Sequence, residues 1–492
     1  MIYSFHHFYY WLKGGVETGL AYRAKIFRNL GLEAKFVFAT PFPSNNIWKE
    51  MEYLGFRESE TMWLYSFFTD CKNSTELYTL DQLKSTFDAK SYNFTRDGAV
   101  VKYFFPGSDT YYVVHMLDEK SNGIHRILII SNGCLIRTDF YTYCKIYSEY
   151  FVPQNNQAHL YLRRFFNENG TIAYEEIVED DVILYKFPDR LLYSREELVA
   201  YMMSRLKLTE DDVVLIDGEP GNIDRSAFIL NAAPAKVGFI VHADHYLEND
   251  ETHILWYGIY EYVFSHAEKI DFFITNTEAQ SSLLREQLKK YRKIDARVLT
   301  IPVAALDKVR VPINARKKHS LISVGRLARE KMMNWAIQAV AAAKAQIPDL
   351  SLDIYGEGGD KEKLQKLIKE LGCGDYVRLC GFQKLDEVYQ RYDAYISASF
   401  VETLGVTLLE AVGSGLPIIG FDIRYGAQIF IDEGRNGYKA EWGDIEGLAS
   451  GIVKLFTEAD IEAFRKHSYE KAGEYLAEEV EKKWKSLLCP EK

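Results

Sequence analysis

The sequence predicts an α/β protein of two halves, each built on parallel strands joined by helices, with an antiparallel β-meander inserted into the first half. Three observations carry this. Apolar strand-like segments alternate with helical patterns at the start of the chain and again from about residue 206. Between about 76 and 205 the texture changes to short alternating runs broken by Asp97-Gly98, Asn132-Gly133 and Asn169-Gly170, pairs that favour tight hairpins. From Ser320 a second series, LISVG, LDIYG, VRLCG, AYISAS and PIIGFD, recurs with helical stretches between, as parallel βαβ units require.

Taken in order, an apolar strand opens the chain. Gly14-Gly15-Val16-Glu17 then leads a helix to Leu30, Gly31 stops it, and Ala34 to Thr40 forms the next strand. These make residues 1–75 the first part of an α/β domain. The meander, 76–205, contains the runs Val100 to Phe105, Thr110 to His115, His125 to Ile130, Ala158 to Leu162 and Val182 to Tyr185. Strands at Asp212–Asp217, Val237–His242, Asp271–Thr275 and Arg297–Val303 complete the first domain over 206–310. Val311-Pro312 through Lys317-Lys318 reads as a linker into a second α/β domain, 311–475. Two such halves on a linker suit a ligand cleft. The tail, 476–492, is helical and charged and is free to return to the first domain.

Composition narrows the function. Of 492 residues, 47% are hydrophobic and 26% charged, values of an ordinary soluble globular protein. Aromatics reach 14%, with 34 Tyr, which points first to core packing and second to sheet surfaces or sugar-stacking sites. A net charge of −11 argues against nucleic acid as the main partner and leaves room for a local basic pocket. The six cysteines, Cys71, Cys134, Cys144, Cys373, Cys380 and Cys489, form no C-x-x-C pair and have no histidine at zinc-ligand spacing, so they read as reduced thiols of a cytosolic protein. The start lacks a basic segment followed by an apolar one, and no apolar run is long enough to span a bilayer. A cytoplasmic location follows, with peripheral attachment to the cytoplasmic face of the membrane left open.

Three segments carry chemistry. Ser323 to Lys331 follows a strand and precedes a helix. Arg326 and Lys331 there can bring two cations to one helix N-terminus, which suits a diphosphate; a solvated basic turn is the alternative. Ala398 to Ala411 runs from a strand end into a helix, with Glu402 in the loop and Glu410 one turn into the helix. Two carboxylates so placed can each accept a pair of hydroxyl hydrogen bonds, as sugar diols require; the alternative is a pair of surface carboxylates. Gly405 permits close backbone approach to a phosphate. Gly415 and Pro417 read as a helix stop and a strand entry.

The ordered series, G-R-x-x-x-x-K, D-I-Y-G-x-G, V-x-L-x-G-F, E-x7-E and G-x-P, resembles the retaining family-4 glycosyltransferases of GT-B fold over about 310–475. The resemblance implies two Rossmann-like domains facing a cleft and a UDP-sugar donor. It further implies that Arg326 and Lys331 neutralise the leaving diphosphate in place of a metal. Glu402 would contact the donor sugar and Glu410 the ribose. The loop Thr403, Leu404, Gly405 and Val406 would give amides to sugar and phosphate, and the base would rest at Phe382 and Gln383. The chain departs from the family at Thr403-Leu404-Gly405, where Gly-Phe-Gly is usual, and side chains there are expected to narrow the donor pocket.

Gly15-Val16-Glu17, the β-rich insertion and Val241-His242-Ala243-Asp244-His245-Tyr246 resemble more narrowly the GtfA-type enzymes of accessory Sec systems. That resemblance implies that Gly15, Val16, Glu17 and Thr18 approach the UDP phosphates and that His242 reaches the donor sugar. It implies transfer of N-acetylglucosamine, or glucose, to Ser/Thr of a serine-rich repeat adhesin, no cofactor or metal, and a homo-oligomer or a complex with a related stabilising subunit. The insertion would bind the extended acceptor or mediate association through strand edges. Two alternatives are a wall teichoic acid α-glycosyltransferase, which the −11 charge disfavours, and an inactive adhesin-binding chaperone subunit, which the intact motif set disfavours.

Overall fold

The computed structural model describes residues 1–6, 15–41, 47–87, 91–180, 182–218 and 225–489. Two compact units emerge. One comprises Met1–Leu12, Leu32–Phe239 and Tyr262–Asp271, the other Lys13–Gly31, Ile240–Glu261 and Phe272–Lys492.

In the first unit, Ile2–His6 is buried at every position, as a strand inside a parallel sheet must be. It pairs in parallel with Val213–Gly218 on one side and Ala34–Phe38 on the other, and Thr61–Trp63 extends the sheet beyond Ala34–Phe38. The same unit holds the meander. Its strands lie side by side in chain order from Asn93–Asp97 to Leu191–Leu192, and Tyr78–Thr79 adds to Gly123–Ser131. Asn132 and Gly133 both take left-handed backbone, φ 50° and 77°, the pairing that a two-residue hairpin needs to match strand twist. The expected runs all fall on strands, but Cys134–Tyr141, Lys145–Gln154 and Ile172–Glu179 went unnoticed. On Lys145–Gln154 and Ile172–Glu179 a charged residue shares a buried face with an aromatic one, Glu149 with Tyr147 and Glu176 with Tyr174, which blurs the alternation.

That shared face answers the question raised by the aromatic content. Phe140, Tyr147, Phe165 and Tyr174 face one another directly across successive strands. Their rings stack at 4.2, 5.4 and 4.4 Å, and all four are buried. On the same face Arg163 reaches Glu149 at 2.9 Å and Glu176 at 2.5 Å, the residues opposite it on both neighbouring strands. The row is therefore core, not a sugar-stacking surface.

In the second unit, six parallel strands run in the order Val377–Gly381, Ser351–Tyr355, Ser320–Val324, Ala394–Ser397, Ile418–Phe421, Gly437–Ala440. Numbered along the chain this is 3-2-1-4-5-6, the doubly wound order, which reverses between Ser320–Val324 and Ala394–Ser397. Leu321, Ile322, Ile354, Ile396 and Ile419 fill its core. Helix Gly15–Asn29 belongs to this unit and packs against the C-terminal helix Ala477–Leu488. Phe27 meets Trp484 edge to face at 5.2 Å, and Asn29 donates to Glu481.

Candidate active site

The site forms where the strand order reverses, because loops leaving the two central strands diverge there and open a crevice at their carboxyl ends. Gly325 to Lys331 leaves Ser320–Val324, and Ala398 to Gly405 leaves Ala394–Ser397. The Phe400 amide donates to the Glu330 carbonyl at 2.9 Å and holds the loops together. Lys331 Nζ then lies 2.5 Å from Glu402 Oε1, with the side chains 20% and 11% exposed. The Ser399 hydroxyl donates to the same oxygen at 2.8 Å.

The neighbouring D-I-Y-G-x-G turn supports the first loop from behind. Gly325 and Leu327 amides donate to the Tyr355 and Glu357 carbonyls, at 3.0 and 2.9 Å. Gly356 and Gly358 have φ of 144° and 158°. A Cβ on either would collide with the Gly325 or Leu327 carbonyl oxygen, so only glycine lets the turns touch.

Arg326 does not join Lys331. It pairs with Glu330 at 2.8 Å and its side chain is 46% exposed, while helix Met333–Ala343 begins beyond both cations. The expected pair of charges at one helix N-terminus is thus corrected: Lys331 turns to Glu402, and Arg326 turns along its own loop.

Glu402 and Glu410 occupy separate environments. Glu410 lies in helix Val406–Gly413 and accepts from the Tyr389 hydroxyl at 2.7 Å. Burial pushes its carboxyl above the ordinary glutamate range, against the opposing pull of the Tyr389 hydrogen bond and the Arg310 charge. Tyr22 of helix Gly15–Asn29 feels the Glu410 charge too. Burial and the Asp307 charge push its hydroxyl up to about 12.

Gly405 takes φ 76° and stands immediately before helix Val406–Gly413. Leu404 is 1% exposed and belongs to the core, so the expectation that its side chain narrows a donor pocket is corrected; the apolar side chain finds more burial inward than in the crevice. Thr403 turns its hydroxyl to the His242 carbonyl, donating at 2.7 Å. His242 follows strand Lys236–Val241, and this bond brings the V-H-A-D-H-Y segment beside Glu402, with donor and acceptor 161 positions apart in the chain. Phe382 follows strand Val377–Gly381 and is 61% exposed, while Gln383 donates to the Cys380 carbonyl at 3.0 Å. Gly14 lies outside the described residues. Of Gly15, Val16 and Glu17 only the helical backbone is described, and Thr18 is exposed on the same helix.

Sequence reasoning missed Ser399 and Tyr389, and also Tyr425 and Arg424, which reach Asp244 of the V-H-A-D-H-Y segment at 3.1 and 3.3 Å. Ser399 was legible in principle, three residues before Glu402. Tyr389 and Tyr425 carry no local signal, because only folding brings them to the site.

The sequence matches the GtfA extended beta-sheet domain over residues 93–189 and the glycosyl transferases group 1 family over 307–475. The UDP-N-acetylglucosamine–peptide N-acetylglucosaminyltransferase GtfA subunit of Streptococcus gordonii is 41% identical over 488 residues, 97% of this chain and 96% of that protein. A crystal structure of the pneumococcal O-GlcNAc transferase GtfA in complex with UDP and GlcNAc matches with a TM-score of 0.94 at 36% identity, over 99% of this chain and 98% of that one. A crystal structure of a GtfA/B complex contains a chain matching at 0.91 and 39% identity, over 99% of each. The fold is GT-B, and the chain belongs to the family of GtfA subunits of UDP-N-acetylglucosamine–peptide N-acetylglucosaminyltransferases.

Proposed function

We propose that this chain transfers N-acetylglucosamine from UDP-N-acetylglucosamine to serine and threonine of a serine-rich repeat protein, with retention at the anomeric carbon. The observation that carries it is the Lys331–Glu402 pair at the strand-order reversal, in a chain 41% identical over 97% of its length to a subunit named for this activity. N-acetylglucosamine is preferred over glucose because the relatives are named for it and one was crystallised with UDP and GlcNAc.

In the proposed reaction the bond from the sugar anomeric carbon to the UDP phosphate oxygen breaks. The acceptor hydroxyl oxygen bonds to that carbon from the same face, and its proton passes to the departing phosphate oxygen. Lys331, with Arg326 on the same loop, supplies positive charge to the leaving diphosphate, which lowers the barrier most where negative charge accumulates. That charge is our reason for proposing transfer without a metal. Glu402 holds the sugar with amides of Thr403 to Val406 and with His242. Glu410 holds the ribose, Phe382 and Gln383 the base, and Gly15 to Thr18 the phosphates.

We assign 1–75 and 206–310 to one Rossmann-like domain, 311–475 to the nucleotide-sugar domain, 76–205 to binding of acceptor or partner, and 476–492 to a returning helix. The GtfA/B complex supports assembly with a related stabilising subunit. No helix among the described residues is long and apolar enough to cross a membrane, and we place the enzyme in the cytoplasm.

The test incubates the purified chain, alone and with its partner subunit, with a serine-rich peptide and either UDP-N-acetylglucosamine or UDP-glucose. UDP release, peptide mass and the anomeric configuration of the product are read. Absence of transfer from both donors in both preparations would refute the proposal, and glucose transfer alone would refute its sugar.

A further inference from the structure

Two polar ties hold the His242 segment against the Glu402 loop, and both are made by side-chain hydroxyls that the proposed reaction does not use. The first is the Thr403 hydroxyl on the His242 carbonyl at 2.7 Å. The second is the Tyr425 hydroxyl, which donates to Asp244 Oδ1 at 3.1 Å.

Tyr425 is held where it stands with some effort. Its backbone takes φ 71° and ψ −93°, a region that costs a non-glycine residue free energy and persists only when the surroundings fix it. The surroundings are the Glu402 loop. Glu402 and Tyr425 form a parallel bridge, and the next amide, Gly426, donates to the Glu402 carbonyl at 2.8 Å. A Cβ at Gly426 would stand 2.7 Å from the Leu404 carbonyl oxygen and 2.9 Å from Glu402 Cβ, so the two chains touch. Tyr425 therefore grips Glu402 through its backbone and Asp244 through its ring. Asp244 is fixed from its other side by Arg424 at 3.3 Å, and it accepts the His245 amide at 3.0 Å.

We infer, on the basis of the transfer proposed above, that Tyr425 and Thr403 are positioning residues that clasp the 242–244 segment to Glu402 and so set the register of the two sides of the sugar subsite. Tyr425 spans from the backbone of Glu402, through its own backbone, to the carboxylate two residues beyond His242, through its hydroxyl. The Thr403 hydroxyl fixes His242 itself from the residue next to Glu402. A reaction that needs both sides of the sugar held to a fraction of an ångström depends on such ties more than nucleotide binding does. Glu410 with its partners Tyr389 and Arg310, and Phe382 with Gln383, are the groups assigned to ribose and base and make neither tie, so UDP affinity is expected to change little when the ties are cut.

The experiment compares full-length Thr403→Val, Thr403→Ser, Tyr425→Phe and the Thr403→Val/Tyr425→Phe double variant with the unaltered chain. It reads kcat and KM for UDP-N-acetylglucosamine with a serine-rich peptide, Kd for UDP by calorimetry, and hydrogen exchange of the 242–246 amides. Thr403→Val and Tyr425→Phe are expected to lower kcat/KM about 10- to 100-fold. UDP Kd should stay within about twofold, and the double variant should lose little more than either single one. Exchange across 242–246 should quicken in both single variants, and Thr403→Ser should restore rate and protection. The inference is overturned if the single variants transfer like the unaltered chain, if UDP affinity falls in step with kcat/KM, or if Thr403→Ser is as impaired as Thr403→Val. Should the unaltered chain show no transfer, the proposed function fails, and the exchange data decide the clasp alone: unchanged protection in both variants overturns it.

Discussion

Lys331 Nζ and Glu402 Oε1 lie 2.5 Å apart across 71 residues of chain, with Ser399 donating to the same carboxylate oxygen. This contact joins the loops of the two central strands, so each partner holds the other in place. Lys331→Ala leaves Glu402, among the described residues, with the Ser399 hydroxyl as its side-chain donor. We expect kcat to fall about 100- to 1,000-fold, the scale of losing one charge aimed at a developing anion. Stability should fall by about 1–2 kcal/mol, because the pair is only partly buried. Transfer kinetics and urea unfolding check both; near-normal turnover would remove Lys331 from the mechanism.

Glu410 gives a pH prediction. Burial raises its carboxyl above the ordinary range, so it protonates at a higher pH than an exposed glutamate. The ionised form is the stronger acceptor for ribose hydroxyls. UDP affinity should therefore weaken as pH falls through that raised value, while the stability contribution runs the other way, since burying the charge is what costs. Glu410→Gln should weaken UDP binding about tenfold and flatten its acid-side pH dependence. Calorimetric titrations at a series of pH values measure both.

His245 is buried with Nε2 2.7 Å from Gln287 Oε1, and burial lowers its imidazole to about 4. His125 moves the same way, to about 3, also by burial. A histidine kept neutral in the fold takes up its proton on unfolding first, so stability is full above about pH 6.5 and declines as pH drops toward 4. For His245 the loss is on the order of 3 kcal/mol at most. Chemical denaturation between pH 7 and 4.5 should show it, and His245→Gln should shrink the slope.

Gly356→Ala tests the support behind the Lys331 loop. The added methyl meets the Gly325 carbonyl oxygen at a backbone φ of 144°, so the two turns must part. We expect a loss of about 3 kcal/mol in unfolding free energy and a fall in activity at temperatures where the fold survives. Unchanged stability would mean the turns separate easily.

Phe382 offers a test with the opposite signature. It is exposed after strand Val377–Gly381, so Phe382→Ala should leave the melting temperature unchanged. If the base stacks there, UDP affinity drops by about 1 kcal/mol, which calorimetry resolves.

Much of this protein is legible in its sequence because the relevant physics is local. Parallel strands buried on both faces write apolar runs, hairpins write Asn-Gly pairs, and the loops that carry Arg326, Lys331 and Glu402, with the helix that carries Glu410, sit at fixed offsets from strands that periodicity identifies. The sequence alone thus determined the α/β halves, the inserted meander and the family of the nucleotide-sugar domain. Tertiary structure decided which of those groups meet. Lys331 met Glu402 rather than standing beside Arg326, because the Phe400 amide pins the two loops together. Leu404 went inward because burial favours an apolar side chain. Cys71 and Cys144, 73 residues apart, came to 3.8 Å. Tyr425 reached Asp244 from 181 residues away. Such contacts depend on strand order and loop closure over long chain separations, and no local pattern of residues encodes them.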